Sequence, residues 1–286
     1  MTYEEYLTKL EQIILKKLHK GEDIRKIQVL KNNNLQLDGF SYRVPGHREQ
    51  PTVYVNQYYE ENILDEKIDH IAELVLHTLR TCKLFSTQEV MEVLDFEQMK
   101  SRIYYRLISR EKNRALLEQI PWLPWLDLAI VFYLRIPEYM IDNATALIRT
   151  EHLDYWKIGQ KELYEAAAIN MAGTAVLFEP MEHFLERYGL ETLTSGMYVL
   201  TNKRKEYGAA AIVDPKVQRM CSLKHQGDYC VLPSSIHELI VFPGSLAFDK
   251  EELNLLVQEV NASCVREEDY LSGHAYFYSS ETQTLC

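Results

Sequence analysis

Residues 126–136 read LDLAIVFYLRI, Leu126 to Ile136, and the reading of that run decides the fold. Leu128–Leu134 is continuously apolar. It presents no polar face, which is the pattern of a strand covered on both sides. The run is far too short to cross a bilayer, which takes roughly 20 residues. Pro121 and Pro124 bracket a corner before it. The turn-like Pro137–Asp142 leads on to Asn143–Thr150, which reads as a neighbouring strand.

Upstream, Thr2–Lys20 spaces Tyr6, Leu10, Ile13, Ile14 and Leu18 as a helix does, and Gly21 stops it. Ile24–Lys31 and Leu35–Arg43 flank Asn32, Asn33 and Asn34, which predict a hairpin turn because Asn tolerates the left-handed region. Thr52–Asn56 alternates as a third strand. Leu64–Arg80 is helical, and Ser86–Ile108 continues helically with a break near Asp95.

Downstream, Lys161–Asn170 and Met181–Tyr188 read as short helices. Met197–Asn202 and Ala209–Val213 read as a hairpin across Lys203, Arg204 and Lys205. Lys216–Leu223 is helical, Tyr229–Leu232 and Ile236–Phe242 are strands around Pro233–Ser235, Phe248–Val260 is helical and Ala275–Tyr278 closes as a strand. Strands come in pairs with helices between the pairs, so the expected class is α+β with mixed helices and mostly antiparallel sheets. Two lobes, 1–178 and 196–286 with the boundary in 179–195, and one continuous domain both fit.

The chain has 286 residues with 31 Lys+Arg and 42 Asp+Glu, a net charge of −11. With 47% hydrophobic and 26% charged residues it is an ordinary globular composition. The negative charge opposes a phosphate backbone and an anionic membrane surface. Acidic residues stand where a signal peptide would be basic, in MTYEEYLTKLEQ. The five cysteines are widely spaced and form no CxxC, as reduced cytosolic thiols would. The expectation is a cytoplasmic protein with no membrane segment.

Glycine is scarce, 11 residues, and neither GxGxxG nor GxxxxGK[ST] occurs, which argues against the common nucleotide cradles. Nine histidines offer metal ligands, but none has zinc spacing and HExxH is absent. His70 and His77 are two helical turns apart, and His152 and Asp154 would share a face on a strand. No metal and no cofactor are expected.

Two constellations remain. Pro233-Ser234-Ser235-Ile236-His237-Glu238 gathers hydroxyls, an imidazole and a carboxylate at a strand entry, which suits either a Ser/His/Glu hydrolase or a capped turn. On a strand, Ser235 and His237 would stand roughly 6.5–7 Å apart, too far for a nucleophile and its base. His237 and Glu238 would point to opposite faces, and there is no GxSxG elbow.

Arg102, Arg106, Arg110 and Arg114 recur at i+4, interleaved with Tyr104 and Tyr105, in a stretch of six basic residues and one acid. On a helix they would form a basic flank for an anionic partner, a nucleic acid or internal salt bridges. Nineteen tyrosines suit interfaces as well as strand faces. Trp122 and Trp125 read as core anchors.

Several segments are familiar together: VLKNN (Val29–Asn33), PTVYVNQYYE (Pro51–Glu60), EKNRALLEQIPWLPWLDLAIVFY (Glu111–Tyr133) and NATALIRTEHLDYW (Asn143–Trp156). MYVLTNKRKEYGAAAI (Met197–Ile212), VLPSSIHELIVFP (Val231–Pro243) and LNLLVQEVNASCVREEDYLSGHAYFY (Leu253–Tyr278) complete the set. They resemble a domain-of-unknown-function family of intracellular proteins from Gram-positive anaerobes. From Asn143 onward the chain is more distantly similar to the YtpQ-type family, where the serines and Glu of PSSIHE are not kept. Neither resemblance implies an activity, a cofactor or a catalytic residue.

The expected function is therefore non-catalytic binding or regulation, through a protein partner or a small anionic ligand. Arg102, Arg106, Arg110, Arg114, Tyr104 and Tyr105 are the candidate binding residues. The alternatives are a hydrolase centred on His237 and Glu238, with Ser235 as nucleophile and residues such as His152 or Asp154 brought in, and an adaptor for nucleic acid on the arginines.

Overall fold

The apolar run becomes a strand, Leu128–Arg135, whose first seven residues are all buried. The computed structural model describes residues 1–43, 50–82, 92–140, 144–186, 196–245 and 249–286. The chain divides into two compact units: Met1–Lys31 with Leu35–Met91, and Asn32–Asn34 with Glu92–Cys286. The architecture is α+β, and every strand pairing among the described residues is antiparallel. The division lies nearly a hundred residues before the expected boundary at 179–195. Of that stretch, 187–195 lies outside the described residues.

In the first unit, Thr2 and Glu5 form a reciprocal capping box that starts the helix Tyr3–Lys16. Its buried stripe of Tyr6, Leu7, Leu10 and Ile14 shares one core with Ile68, Ile71, Val75 and Leu79 of the helix Asp65–Thr81. The three-stranded sheet β1 (Asp23–Leu30), β2 (Gln36–Arg43) and β3 (Thr52–Tyr54) adds Ile24, Phe40 and Val53.

Glu22 ties this unit together. Arg80 donates to it through Nε and Nη2, both at 2.8 Å, and the His19 amide donates at 2.7 Å. The forked Arg80 contact holds the Glu22 carboxyl down from an ordinary 4.5 to about 2. A lowered carboxyl pKa stabilises the fold above the unfolded value and loses that contribution as pH falls through the folded one. A shift of this size corresponds to about 3 kcal/mol at full strength, and contact with water reduces it to about 1–2 kcal/mol. Glu22→Gln should therefore be less stable than wild type by that amount at pH 7, with the difference shrinking to a few tenths of a kcal/mol near pH 2. Denaturant unfolding at both pH values checks it. A difference that stays constant with pH would sink the assignment.

The second unit holds two sheets. β4 (Ile103–Ser109), β6 (Leu128–Arg135) and β5 (Trp122–Trp125) lie in that order, and β7 (Thr145–Leu147) also pairs with β6. The six-stranded sheet runs β13–β12–β10–β11–β9–β8. Its strands are β8 (Val176–Pro180), β9 (Tyr198–Asn202), β10 (Tyr229–Pro233), β11 (Leu239–Pro243), β12 (Tyr276–Ser279) and β13 (Thr284–Leu285). One core joins them: Leu107, Ile130 and Phe132 from the first sheet cluster with Leu200, Val231 and Val241 from the second.

Six sequence expectations change. The helix predicted over Ser86–Ile108 is replaced, beyond the undescribed 83–91, by a short helix Phe96–Met99, a 3-10 turn Lys100–Arg102 and β4. Buried Ile103, Tyr105 and Leu107 alternate with half-buried Tyr104 and Arg106, and that period of two overrides the fourfold arginine spacing. The corner at Pro121 and Pro124 is an edge strand, the place where a sheet tolerates proline. His152 and Asp154 lie on a helix, Thr150–Trp156, so their i,i+2 spacing no longer shares a face. Gly208–Val213 is a 3-10 helix rather than the second arm of a hairpin. β8 was not foreseen, and Ser235–Glu238 precede β11 instead of entering it.

Candidate functional site

Pairing of Pro233 with Leu239 closes β10 onto β11, and residues 234–238 span the connection. The Ser235 amide donates to the Glu238 carbonyl at 3.1 Å, and the Ile236 amide donates to the Asp269 carbonyl at 2.9 Å. The connection is thus braced by backbone bonds. Beside it, β9 ends in a tight turn in which the Asn202 side chain accepts from the amides of Arg204 and Glu206 and donates to the Glu206 carbonyl. The turn delivers Tyr207 in the left-handed region, at φ 54°, a conformation uncommon for an aromatic residue.

His237 is fixed from both ends. The Tyr207 amide donates to Nδ1 at 3.1 Å, so the ring proton sits on Nε2, which bonds Asp269 Oδ1 at 3.1 Å. Asp269 is held in turn by Arg266 at 2.8 Å. The Tyr207 ring stacks on the imidazole with centroids 5.5 Å apart and planes 16° apart. Ser235 Oγ accepts from the His237 backbone amide at 3.0 Å and makes no bond to the ring. Glu238 is half-buried; desolvation raises its carboxyl pKa, while the charge of Lys205 opposes that shift. The structure does not assemble Ser235, His237 and Glu238 into a relay, because both imidazole nitrogens are already engaged. His152 lies elsewhere, accepting the Arg149 amide at 2.9 Å.

The four arginines part company. Arg102 ends the 3-10 turn, Arg106 lies in β4, Arg110 follows it and Arg114 opens the helix Arg114–Leu117. They form no continuous flank. Arg110 and Arg114 are exposed and line a shallow cleft of about 490 Å³ with Trp122. Glu111 and Glu118 line it too.

Arg106 meets a different arginine's neighbourhood. In the β4–β6 register Tyr104 opposes Tyr133 and Arg106 opposes Val131, so Tyr104, Arg106, Tyr133 and Arg135 share one face. On that face the Arg135 guanidinium lies 3.8 Å from the centre of the Tyr104 ring. Tyr104 stacks on Tyr133 at 5.9 Å, and Tyr133 meets Tyr207 edge-on at 4.9 Å. Arg106 lies over the other part of Tyr207, 4.6 Å from its centre. Burial pushes the Tyr133 hydroxyl up to about 12, so it stays protonated.

The Nε–H of Arg106 and that of Arg135 are both buried without an acceptor. Neither guanidinium forms an ion pair with a described carboxylate; Arg135 reaches only the Tyr133 hydroxyl, at a long 3.4 Å. Tyr105, the sixth candidate, points to the opposite face of β4 and stacks on Tyr164.

Two residues that the sequence keeps apart, Arg106 of β4 and His237, therefore converge on Tyr207. The hint in the sequence was Tyr207-Gly208, a bulky residue before a glycine at the end of a polar turn. Arg135 directly follows the apolar run Leu128–Leu134 and belongs to no motif in the sequence.

Among the described residues, no group of three or more His, Cys, Asp or Glu side chains is placed to hold a metal ion. Among them, too, no helix is long and apolar enough to cross a membrane. Residues 3–280 match the model of a family of unknown function, DUF5688, and the chain belongs to that family. No curated protein and no solved structure matches it.

Proposed function

We propose that this protein is a non-catalytic binding protein that takes a small anionic ligand on the Arg106–Arg135 face of β4 and β6. The observation that carries this reading is the pair of buried, unaccepted Nε–H groups on one aromatic face. Buried polar groups are nearly always satisfied, and an orphan calls for a missing water or ion. In a chain with 42 carboxylates, two guanidiniums left without one are available to an outside anion. Stacking on Tyr104 and Tyr207 pre-orients their planar forks for carboxylate or phosphate oxygens. A protein partner would engage the same face through an acidic side chain. A cytoplasmic setting accords with the five free cysteines.

Thermal unfolding in inorganic phosphate and in citrate, at constant ionic strength, tests the reading. A ligand in hundredfold excess over Kd stabilises by about 2.7 kcal/mol. The wild type should gain stability over chloride, and the Arg106→Gln/Arg135→Gln double variant should gain none. Arg106→Lys should retain part of the effect, since it keeps the charge and loses the fork. An equal gain in wild type and double variant would mean general salt stabilisation, and no gain in wild type would remove the site.

A further inference from the structure

The other face of β4 carries a separate cavity of about 400 Å³, within the size range of small-molecule sites. Tyr105 and Tyr164 line one side of it, stacked with centroids 6.2 Å apart. Ala168 and Met171 of the helix Gln160–Ala172, with Val176 and Val213, supply apolar wall, and Thr174 and Asn202 add polar edges. Asp214 and Lys216 supply the charged lining and offset one another. Asp214 is also occupied in capping the helix Pro215–His225, where Oδ1 accepts the Lys216 amide at 2.8 Å.

Tyr105 is only 4% exposed, yet its hydroxyl makes no hydrogen bond to any described residue. Its ionisation is opposed by burial and by the charges of Tyr164 and Asp214, which also line the cavity. The group therefore stays protonated and offers a donor.

We propose that this cavity is a binding site for a small uncharged aromatic molecule that presents a carbonyl oxygen to the Tyr105 hydroxyl. The apolar walls favour a flat hydrocarbon body, the balanced charges of Asp214 and Lys216 favour no net charge, and the free hydroxyl selects an acceptor. The site is distinct from the Arg106–Arg135 face, because adjacent residues of a strand point to opposite sides. Either assignment can fail without the other.

Saturation-transfer NMR on the full chain, with benzamide and acetanilide as neutral probes and benzoate and benzylamine as charged counterparts, decides it. The neutral probes should bind wild type better than benzylamine does. Tyr105→Phe should weaken the neutral probes about fivefold by removing one hydrogen bond, while leaving the melting temperature unchanged or higher. Ala168→Phe, which fills the cavity, should abolish neutral-probe binding. Benzoate held by the arginines should survive both substitutions. Absence of neutral-probe binding, preference for benzylamine over the neutral probes, or neutral binding that ignores Tyr105→Phe would each overturn the proposal. If Ala168→Phe does not fold, Tyr105→Phe decides alone.

Discussion

Alanine at Gly208 should destabilise the second unit by about 3 kcal/mol or more, at the severe end of single substitutions. A Cβ at this position would lie 2.3 Å from Thr201 Oγ1, 2.6 Å from the Asn202 amide nitrogen and 2.7 Å from the His237 carbonyl oxygen. Two of the three obstacles are backbone atoms of different segments, so no rotamer change relieves them. The Thr201 hydroxyl cannot simply swing away, since it donates to the same His237 carbonyl at 2.8 Å. Glycine is thus what lets β9, the Tyr207 turn and the His237 connection meet at one point. Gly173→Ala is the control, because its nearest neighbours stand 3.6 Å and 3.8 Å away and it caps a helix in the ordinary right-handed region. That change should be neutral or gain a few tenths of a kcal/mol, as removal of backbone freedom from the unfolded chain does. Guanidinium unfolding of the two variants gives the comparison. A Gly208→Ala protein within about 1 kcal/mol of wild type would falsify the close-approach argument.

Local pattern carried most of the fold. The apolar run Leu128–Leu134 announced the central strand because burial on both faces leaves no other composition. Asn32–Asn34 announced a reversal, and Asn33 does take φ 60° there. Where two periods overlap, local pattern points to the wrong element. The spacing of Arg102, Arg106, Arg110 and Arg114 is both every fourth residue of a helix and every second same-face residue of a strand. The intervening Ile103, Tyr105 and Leu107, all buried, were the deciding signal. The candidate site was legible only in pieces. Arg106 and His237 are each visible as unusual residues, but they lie 131 positions apart and meet through Tyr207, which only its place before Gly208 marks. Tertiary convergence of this kind is set by sheet order and by one glycine, neither of which leaves a periodic trace.

Asn113→Ala should cost about 3 kcal/mol and loosen the site from a distance. Asn113 is completely buried. Its Oδ1 accepts the Asn33 amide at 2.7 Å, and its Nδ2 donates to Asn33 Oδ1 and to the Ser109 carbonyl, both at 2.8 Å. Truncation leaves three buried groups without partners, and each orphan costs about 1–3 kcal/mol. The damage has a direction. Asn33 Nδ2 donates to the carbonyls of Glu267 at 2.6 Å and Tyr270 at 2.9 Å, and so clamps the turn that carries Asp269. Asp269 fixes the His237 ring, His237 accepts from the Tyr207 amide, and Tyr207 underlies Arg106. The coupling is physical at every step, a chain of hydrogen bonds ending in a stacked guanidinium. Hydrogen exchange gives the first readout: the Asn33 amide should lose protection in Asn113→Ala while amides of β6 keep most of theirs. The second readout is anion-dependent stabilisation, which should weaken although Asn113 touches no anion. If the Asn33 amide stays protected, the bond to Asn113 is not what holds it. If anion stabilisation is untouched while Asn33 opens, Asp269 is held well enough by Arg266 alone, and the chain from Asn113 to Arg106 ends at that turn.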